Sequence, residues 1–543
     1  MQVESDLSTQ QMDDMLDITA TSAADLMQEQ GESGDLQIDE TNVATSALMN
    51  PLLVNLIFSY MDAPTLKTSV RPVCTLWADL GAPFLGKKTT HPQMFSESIT
   101  CDSEIPETIG LTVFHPKLAK NVKLVSSTCP CDSPELLPRN FTAVRPRIAR
   151  HVEELEVRID SSFLPGLHKM WTSRQHLFNN LTKISITVLL FSDDNADSIL
   201  TGSYPMMANV KMISIRMANQ YRLDQDKLGA IISQKLFNAT PNLQEVEVEA
   251  GFYLDFAPCK KLDKFTYAFV KFLDWRTHEP SKVVEMDKIV KMLESCRESL
   301  TELSLSQVRV VDFEDDEEDD DDVQPVQTLS LPSFPNLTRL SISSMEVYRL
   351  GDCLSVKNVP NLTHVILAGS IKKWFTLSNI IAHFRHPHVG ITTLDLDAAY
   401  DGDEDDVEIG TEIVRLFPAV KILKLKLTLL AYLQMDDLEE IRLLKQILRN
   451  FAPWELTSAL VEMKNVRSSG VVLGTMQGLS HTEVRFCGTN KHPFVLGDDV
   501  KEILLAGREI KLIKMSGFLM TETERDEFEG FVEDSGLPIS FSE

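Results

Sequence analysis

With 543 residues the chain is too long for one compact globule unless it is an elongated repeat. Its hydrophobic fraction of 43% and charged fraction of 24% are ordinary for a folded protein, but its net charge of −28 argues against nonspecific binding to nucleic acid or anionic membrane, which need a basic surface. No window has the ~18 apolar residues of a membrane span, and the first basic residue is Lys67, so neither a transmembrane helix nor a secretory leader is expected.

Residues 1–46 hold eleven acidic residues and no lysine or arginine. Such a segment buries too little apolar surface to offset its ordering entropy, so a disordered acidic tail is expected, with Leu16 and Leu26-Met27 the only amphipathic feature. Residues 47–86 then read as a small all-helical module. Met49, Leu52, Leu53, Leu56, Ile57 and Tyr60 fall at helical spacing and form one apolar stripe. Asn50-Pro51 suits a helix start. After Asp62-Ala63-Pro64, a second helical pattern carries Leu66, Val70, Val73 and Trp77. Pro72 lies within it and predicts a kink before Val73. Helices this short bury little by themselves and need a partner or a neighbouring domain.

The run Ile57-Phe58-Ser59-Tyr60, then Leu66, Val73-Cys74 and Trp77, resembles the F-box. That module docks a protein onto the Skp-type adaptor of cullin-RING ubiquitin ligases. The proline is displaced by one from the usual Leu-Pro opening. The resemblance implies that Met49, Pro51, Leu52, Leu53, Ile57, Phe58, Leu66, Val73, Cys74 and Trp77 face the adaptor. It also makes the rest of the chain a candidate for capturing a target protein. The other reading of this stretch is a helical hairpin that caps the next domain.

Residues 87–150 are rich in Pro, Cys and Lys and show no clear element; we expect an irregular connecting or capping region. From 151 to 430 a unit of the form L-x-x-L-x-L recurs. Its apolar triplets are Val152/Leu155/Val157, Leu181/Ile184/Ile186, Val210/Ile213/Ile215, Leu243/Val246/Val248 and Leu262/Phe265/Tyr267. They continue as Leu300/Leu303/Leu305, Leu337/Leu340/Ile342, Leu362/Val365/Leu367, Ile391/Leu394/Leu396 and Val420/Leu423/Leu425. The last two positions of each triplet are two apart, so they face one side of a short strand. Helical patterns precede several units, at 226–237, 286–296, 377–384 and 407–417, the last after the acidic run 401–406.

The array resembles the leucine-rich repeat. The fold class it implies is α/β: a leucine-rich-repeat solenoid, a curved parallel sheet with outer helices, whose stacked units share one core. The family often places Asn at the ninth position of each unit. Here that position holds Asp160, Leu189, Ala218, Gly251, Val308, Met345, Ser370, Ala399 and Thr428, so an asparagine ladder there is absent and irregular curvature is expected. Residues 431–543 read as degenerate repeats and a C-terminal cap, with Val484/Phe486 a further strand and Val500/Ile503/Leu505 a further unit.

An insertion at 312–322 holds ten acidic residues in eleven and predicts a solvated loop, or a lure for a basic partner. Sequons at Asn140, Asn180, Asn238, Asn336 and Asn361 include three Asn-Leu-Thr runs in repeat register, which we read as repeat chemistry, not glycan acceptors. The eight cysteines are too few for a disulfide scaffold and imply reduced thiols in cytoplasm or nucleus.

Cys129-Pro-Cys131 lacks a second ligand pair, and the histidines of 383–388 lack acidic or Cys partners, so no metal is expected. No phosphate-cradling glycine loop, H-E-x-x-H or G-x-S-x-G occurs, so neither a cofactor nor catalysis is expected. The expected role is that of a non-catalytic substrate receptor, with an adaptor on the F-box-like helices and an unidentified target on the repeats. Target contacts are expected from Arg216, Glu247, Arg339, His364, Asp395 and Lys424, on or beside the exposed strand positions. The alternative is a leucine-rich-repeat interaction scaffold without a ubiquitin link.

Overall fold

The computed structural model describes residues 48–88, 116–125, 139–159, 164–173, 178–188, 202–217, 226–271, 285–309, 331–343, 354–368, 386–400, 405–429, 451, 453–466, 482–488, 496–506, 508 and 510–542. The acidic tail, the 312–322 insertion, the 377–384 pattern, Cys129-Pro-Cys131 and His383 lie outside them. The chain divides into two compact units, Met1–Leu85 and Gly86–Glu543.

In the first unit, helix α1 spans Pro51–Tyr60. Asn50 caps it, its Oδ1 accepting from Leu52 N–H at 3.0 Å, and Pro51 occupies the first turn, where its missing N–H costs nothing. Asp62 caps the next turn by accepting from Thr65 N–H at 2.7 Å. That turn, Ala63–Thr65, runs into a π-helical stretch, Leu66–Val70. Pro72 does not kink a continuing helix. It sits in a turn over 71–73, and a separate helix α2 starts afresh at Thr75–Lys88. A proline lacks the N–H that would continue the ladder, so the chain stops one helix and starts another.

The second unit is built on one parallel sheet of fifteen strands in strict sequence order, helices leading between several of them. β1 (Asn121–Val125) is followed by α3 (Arg139–Ile148), β2 (Glu154–Ile159) and α4 (Leu164–Thr172). Then come β3 (Lys183–Val188), β4 (Met212–Met217), α5 (Asp226–Ala239), β5 (Glu245–Ala250), β6 (Lys264–Lys271), α6 (Met286–Glu294) and β7 (Glu302–Arg309). β8 (Arg339–Ser343), β9 (His364–Ala368), β10 (Thr393–Tyr400), α7 (Asp405–Leu416) and β11 (Ile422–Leu429) follow. β12 (Ser458–Val466), β13 (Thr482–Gly488), α8 (Asp498–Ala506), β14 (Leu512–Ser516), α9 (Glu522–Ser535) and β15 (Ile539–Ser542) complete the array.

In all ten triplets read from the sequence the first residue precedes the strand and the other two stand on β2 to β11, and every one of their apolar side chains is buried. β7 to β10 pair in unbroken register, so Leu303, Leu340, Val365 and Leu394 lie side by side, as do Leu305, Ile342, Leu367 and Leu396. Parallel strands with equivalent residues adjacent make one continuous core that no single unit could close alone. The array is therefore α/β and solenoid-like.

Beyond residue 430, where degenerate repeats were expected, β12 to β15 continue the same sheet, and Val484 of β13 is fully buried. Two expectations are corrected. The 87–150 region is not wholly irregular, since β1 within it pairs with β2 and buries Val122 and Leu124 in the shared core. Val500/Ile503/Leu505 is not a strand, because that stretch forms α8, with Leu504 buried and Leu505 exposed. α9 has a complete capping box between Thr521 and Glu524 and ends on Gly536, whose φ of 61° is the left-handed conformation a side chain resists.

An asparagine ladder is present, but not at the ninth position. It occupies the residue just before the first apolar side chain of a unit. The Nδ2 of Asn180, Asn209, Asn242, Asn336 and Asn361 donates to a carbonyl of the preceding turn, those of Arg150, Asn179, Ala208, Glu298 and Pro335. Two residues on, the hydroxyls of Thr182, Thr338 and Thr363 donate to the carbonyls of Glu153, Thr301 and Thr338. Each Asn-Leu-Thr run thus ties one turn to the last through both polar side chains and buries its Leu between them. This is the physical content of the repeated sequons.

Candidate functional site

Two surfaces hold the residues singled out in the sequence. The first is on the unit Met1–Leu85. Along α1, Val54 and Phe58, four apart, are buried. Phe58, 1% exposed, meets the rings of Trp77 and Phe84 edge-to-face at 5.5 and 6.4 Å between centroids. Leu66, Val70, Ala82 and Leu85 are the other buried apolar residues of this unit. Trp77 is half-buried, and its Nε1 donates to Leu48 O at 3.0 Å. Cys74 Sγ accepts from Trp77 N–H at 3.4 Å.

The other side of the helix is apolar and uncovered. Leu52 is 78% exposed, and Leu53, Leu56, Ile57 and Tyr60 lie beside it at spacings of one and four. Met49 and Val73 are exposed too. Of the ten residues assigned to an adaptor, Met49, Pro51, Leu52, Leu53, Ile57 and Val73 are thus at the surface. Phe58 and Leu66 are not; they hold the unit together and present nothing outward. Leu56 and Tyr60 belong to the exposed face and were not among the ten.

The second surface is the sheet face opposite the core. Its strand positions alternate with the buried ones, as the two-residue period requires. Oppositely charged side chains meet across neighbouring strands: Lys123–Glu156 at 2.8 Å, Arg216–Glu249 at 2.6 Å, Lys264–Glu302 at 2.9 Å and Lys424–Asp395 at 3.9 Å. Lys426 pairs with Asp397, and Glu483 with Arg485 and Lys514.

The six expected target contacts fall in two groups. Arg216 and Glu247 stand on the adjacent strands β4 and β5. Arg339 and His364 are register partners on β8 and β9, and Asp395 and Lys424 on β10 and β11. β6 and β7 separate the groups, so the six do not form one site.

Charge and burial tune these groups. Burial works against ionised Glu156, yet the hydrogen bonds and charges of Lys123 and Arg158 hold its carboxyl below the usual value. Glu483 is held low by Arg485 first. Burial raises Asp395 despite the nearby Lys424. His364 is lowered by burial and by the charges of Arg339 and Lys424, and its buried Nε2 makes no hydrogen bond. Both effects favour the neutral form of the ring.

Among the described residues no group of three His, Cys, Asp or Glu is placed to hold a metal, and no helix is long and apolar enough to cross a membrane. Cys74, Cys259, Cys296 and Cys487 are free thiols, and burial pushes Cys259 and Cys296 up to about 12. No protein-family model matches the chain, and no curated protein matches it in sequence.

Proposed function

We propose that the chain is a non-catalytic substrate receptor of a Skp–cullin–F-box ubiquitin ligase, working in cytoplasm or nucleus. In this reading the exposed face of α1 docks a Skp-type adaptor, and the charged face of the sheet holds a target protein. The observation that carries it is the uncovered apolar face of Leu52, Leu53, Leu56, Ile57 and Tyr60 on a short helix whose own core lies on the other side. A contiguous apolar patch on so small a unit is best accounted for by a partner. Helix-in-partner docking reads such a face through its four-residue spacing. The contribution to rate would be proximity alone: one end tethers the ligase, the other the substrate.

The test is co-precipitation with a Skp-type adaptor. Wild type should capture it, and Leu52→Asp with Ile57→Asp should not, since both positions are exposed and their substitution spares the Phe58 core. Failure of wild type to capture the adaptor, or equal capture by the variant, would refute this reading. The second reading, a leucine-rich-repeat scaffold with no ligase link, draws support from the ion-paired sheet face, which runs from β1 to β14 whatever α1 binds.

A further inference from the structure

From β4 to β8 the ion pairs on the sheet face opposite the core do not use every charge. Arg216 is paired with Glu249 and Lys264 with Glu302, and Glu245 also acts on Lys264. Glu247 of β5 and Arg339 of β8 have no ion pair among the described residues. Arg339 is exposed and Glu247 half-exposed. Register carries the row of Glu247 through Thr266 and Ser304 to Ser341, and Arg339 stands two residues before Ser341. At about 4.8 Å between strands and about 3.3 Å per residue, the two backbone positions lie about 16 Å apart.

The ground between them is low. Thr266, Ser304 and Ser341 make up that row, and Ser306 and Ser343 belong to the next. Among the described residues their hydroxyls have no hydrogen-bond partner. The Lys264–Glu302 pair borders the row on its other side. Short side chains let another backbone come close, and free hydroxyls offer it both donors and acceptors. The trough is also rigid, because the residues alternating with it, Phe265, Leu303 and Leu340 among them, are buried in the core. A surface already fixed in shape loses little on binding.

We propose that this trough binds an extended segment of a target protein, crossing β5 to β8 with a basic residue on Glu247 and an acidic residue on Arg339. An extended chain covers the span in about five residues, so the two charges should stand about four to six apart. The acidic residue is the informative half. A chain of net charge −28 attracts basic peptides of any pattern and repels acidic ones, so a required acidic position reports Arg339. The inference rests on the sheet face being the target surface. It does not involve an adaptor, since every residue named lies in the second unit.

The probe is a random linear dodecapeptide library displayed on phage and selected on the immobilised full-length chain. Wild type should enrich peptides with one basic and one acidic residue about four to six apart. Arg339→Gln should lose the acidic position and keep the basic one, and Glu247→Gln should do the reverse. Arg339→Glu should enrich two basic positions at that spacing. An enriched peptide, titrated by fluorescence anisotropy, should bind wild type about fivefold tighter than its acid-to-amide analogue, as one good exposed charge pair allows. That difference should vanish in Arg339→Gln. Both positions lie off the core, so an unchanged melting temperature is expected of the variants; if one melts early, the analogue comparison on wild type decides. No enrichment by wild type, enrichment of basic peptides without an acidic position, equal affinity for peptide and analogue, or the same peptides from Arg339→Gln as from wild type would overturn the proposal. The assay contains no adaptor, so its outcome and that of the adaptor capture are separate results.

Discussion

Replacing Leu340 by Asp should unfold the middle of the array, while the same change one residue on, at Ser341, should be nearly silent. Leu340 is fully buried and lies in register between Leu303 of β7 and Val365 of β9, both also buried. Truncating such a side chain costs about 2–5 kcal/mol. A carboxylate there adds the penalty of an unpaired charge in a core, several kcal/mol more before the site admits water. That sum rivals the entire stability of an ordinary domain, about 5–15 kcal/mol. Stacked units lend each other stability through their interfaces, so the loss spreads first to β7 and β9. Ser341 points to the opposite face, beside Ser304 and Ile366, where the change should stay within about 0.5 kcal/mol. Hydrogen exchange read on peptides spanning 302–309, 339–343 and 364–368 would distinguish the two. Fast exchange across all three in Leu340→Asp, with native protection in Ser341→Asp, is expected. Equal loss in both, or a worse loss at Ser341, would refute the assignment of faces and with it every exposed strand position named above.

Phe58→Ala should cost the first unit about 3–5 kcal/mol, since Phe58 anchors Trp77 and Phe84, and Ile57→Ala should cost far less; limited proteolysis between residues 48 and 85 compares them. Asn361→Ala with Thr363→Val removes both side-chain rungs to the preceding turn and should lower stability by about 1–2 kcal/mol in urea. Glu156 and Glu483 have folded pKa values below their ordinary 4.5, so their contribution is present above that value and lost as pH falls through and below it. The melting-temperature gap between wild type and Glu156→Gln or Glu483→Gln should accordingly be largest at neutral pH and shrink as pH falls below about 4.5; a gap that stays constant or widens with acidity would refute the linkage.

The repeat was legible because its signal is geometric. A triplet spaced three and then two puts a turn residue and two strand residues into one core, and β2 to β11 do that with large apolar side chains. The strands that escaped notice use the same spacing with weaker letters: Ala119/Val122/Leu124 leads into β1, and Leu456/Ala459/Val461 into β12. An alanine buries too little to stand out, though the neighbouring strand makes it sufficient. Val500/Ile503 misled because a three-residue step is common to this repeat and to a helix, and only the buried Leu504, four on from Val500, distinguishes them.

The small helical unit teaches the converse. Successive residues turn by about 100° around a helix. Phe58 therefore stands some 200° from Leu56 and can never share its stripe, however well the run Ile57-Phe58 matches a motif. Val54, four residues before Phe58, marks the side that faces inward. A motif match assigns residues to a partner as a block, whereas the angle around the helix divides them, Phe58 to folding and Ile57 to the surface.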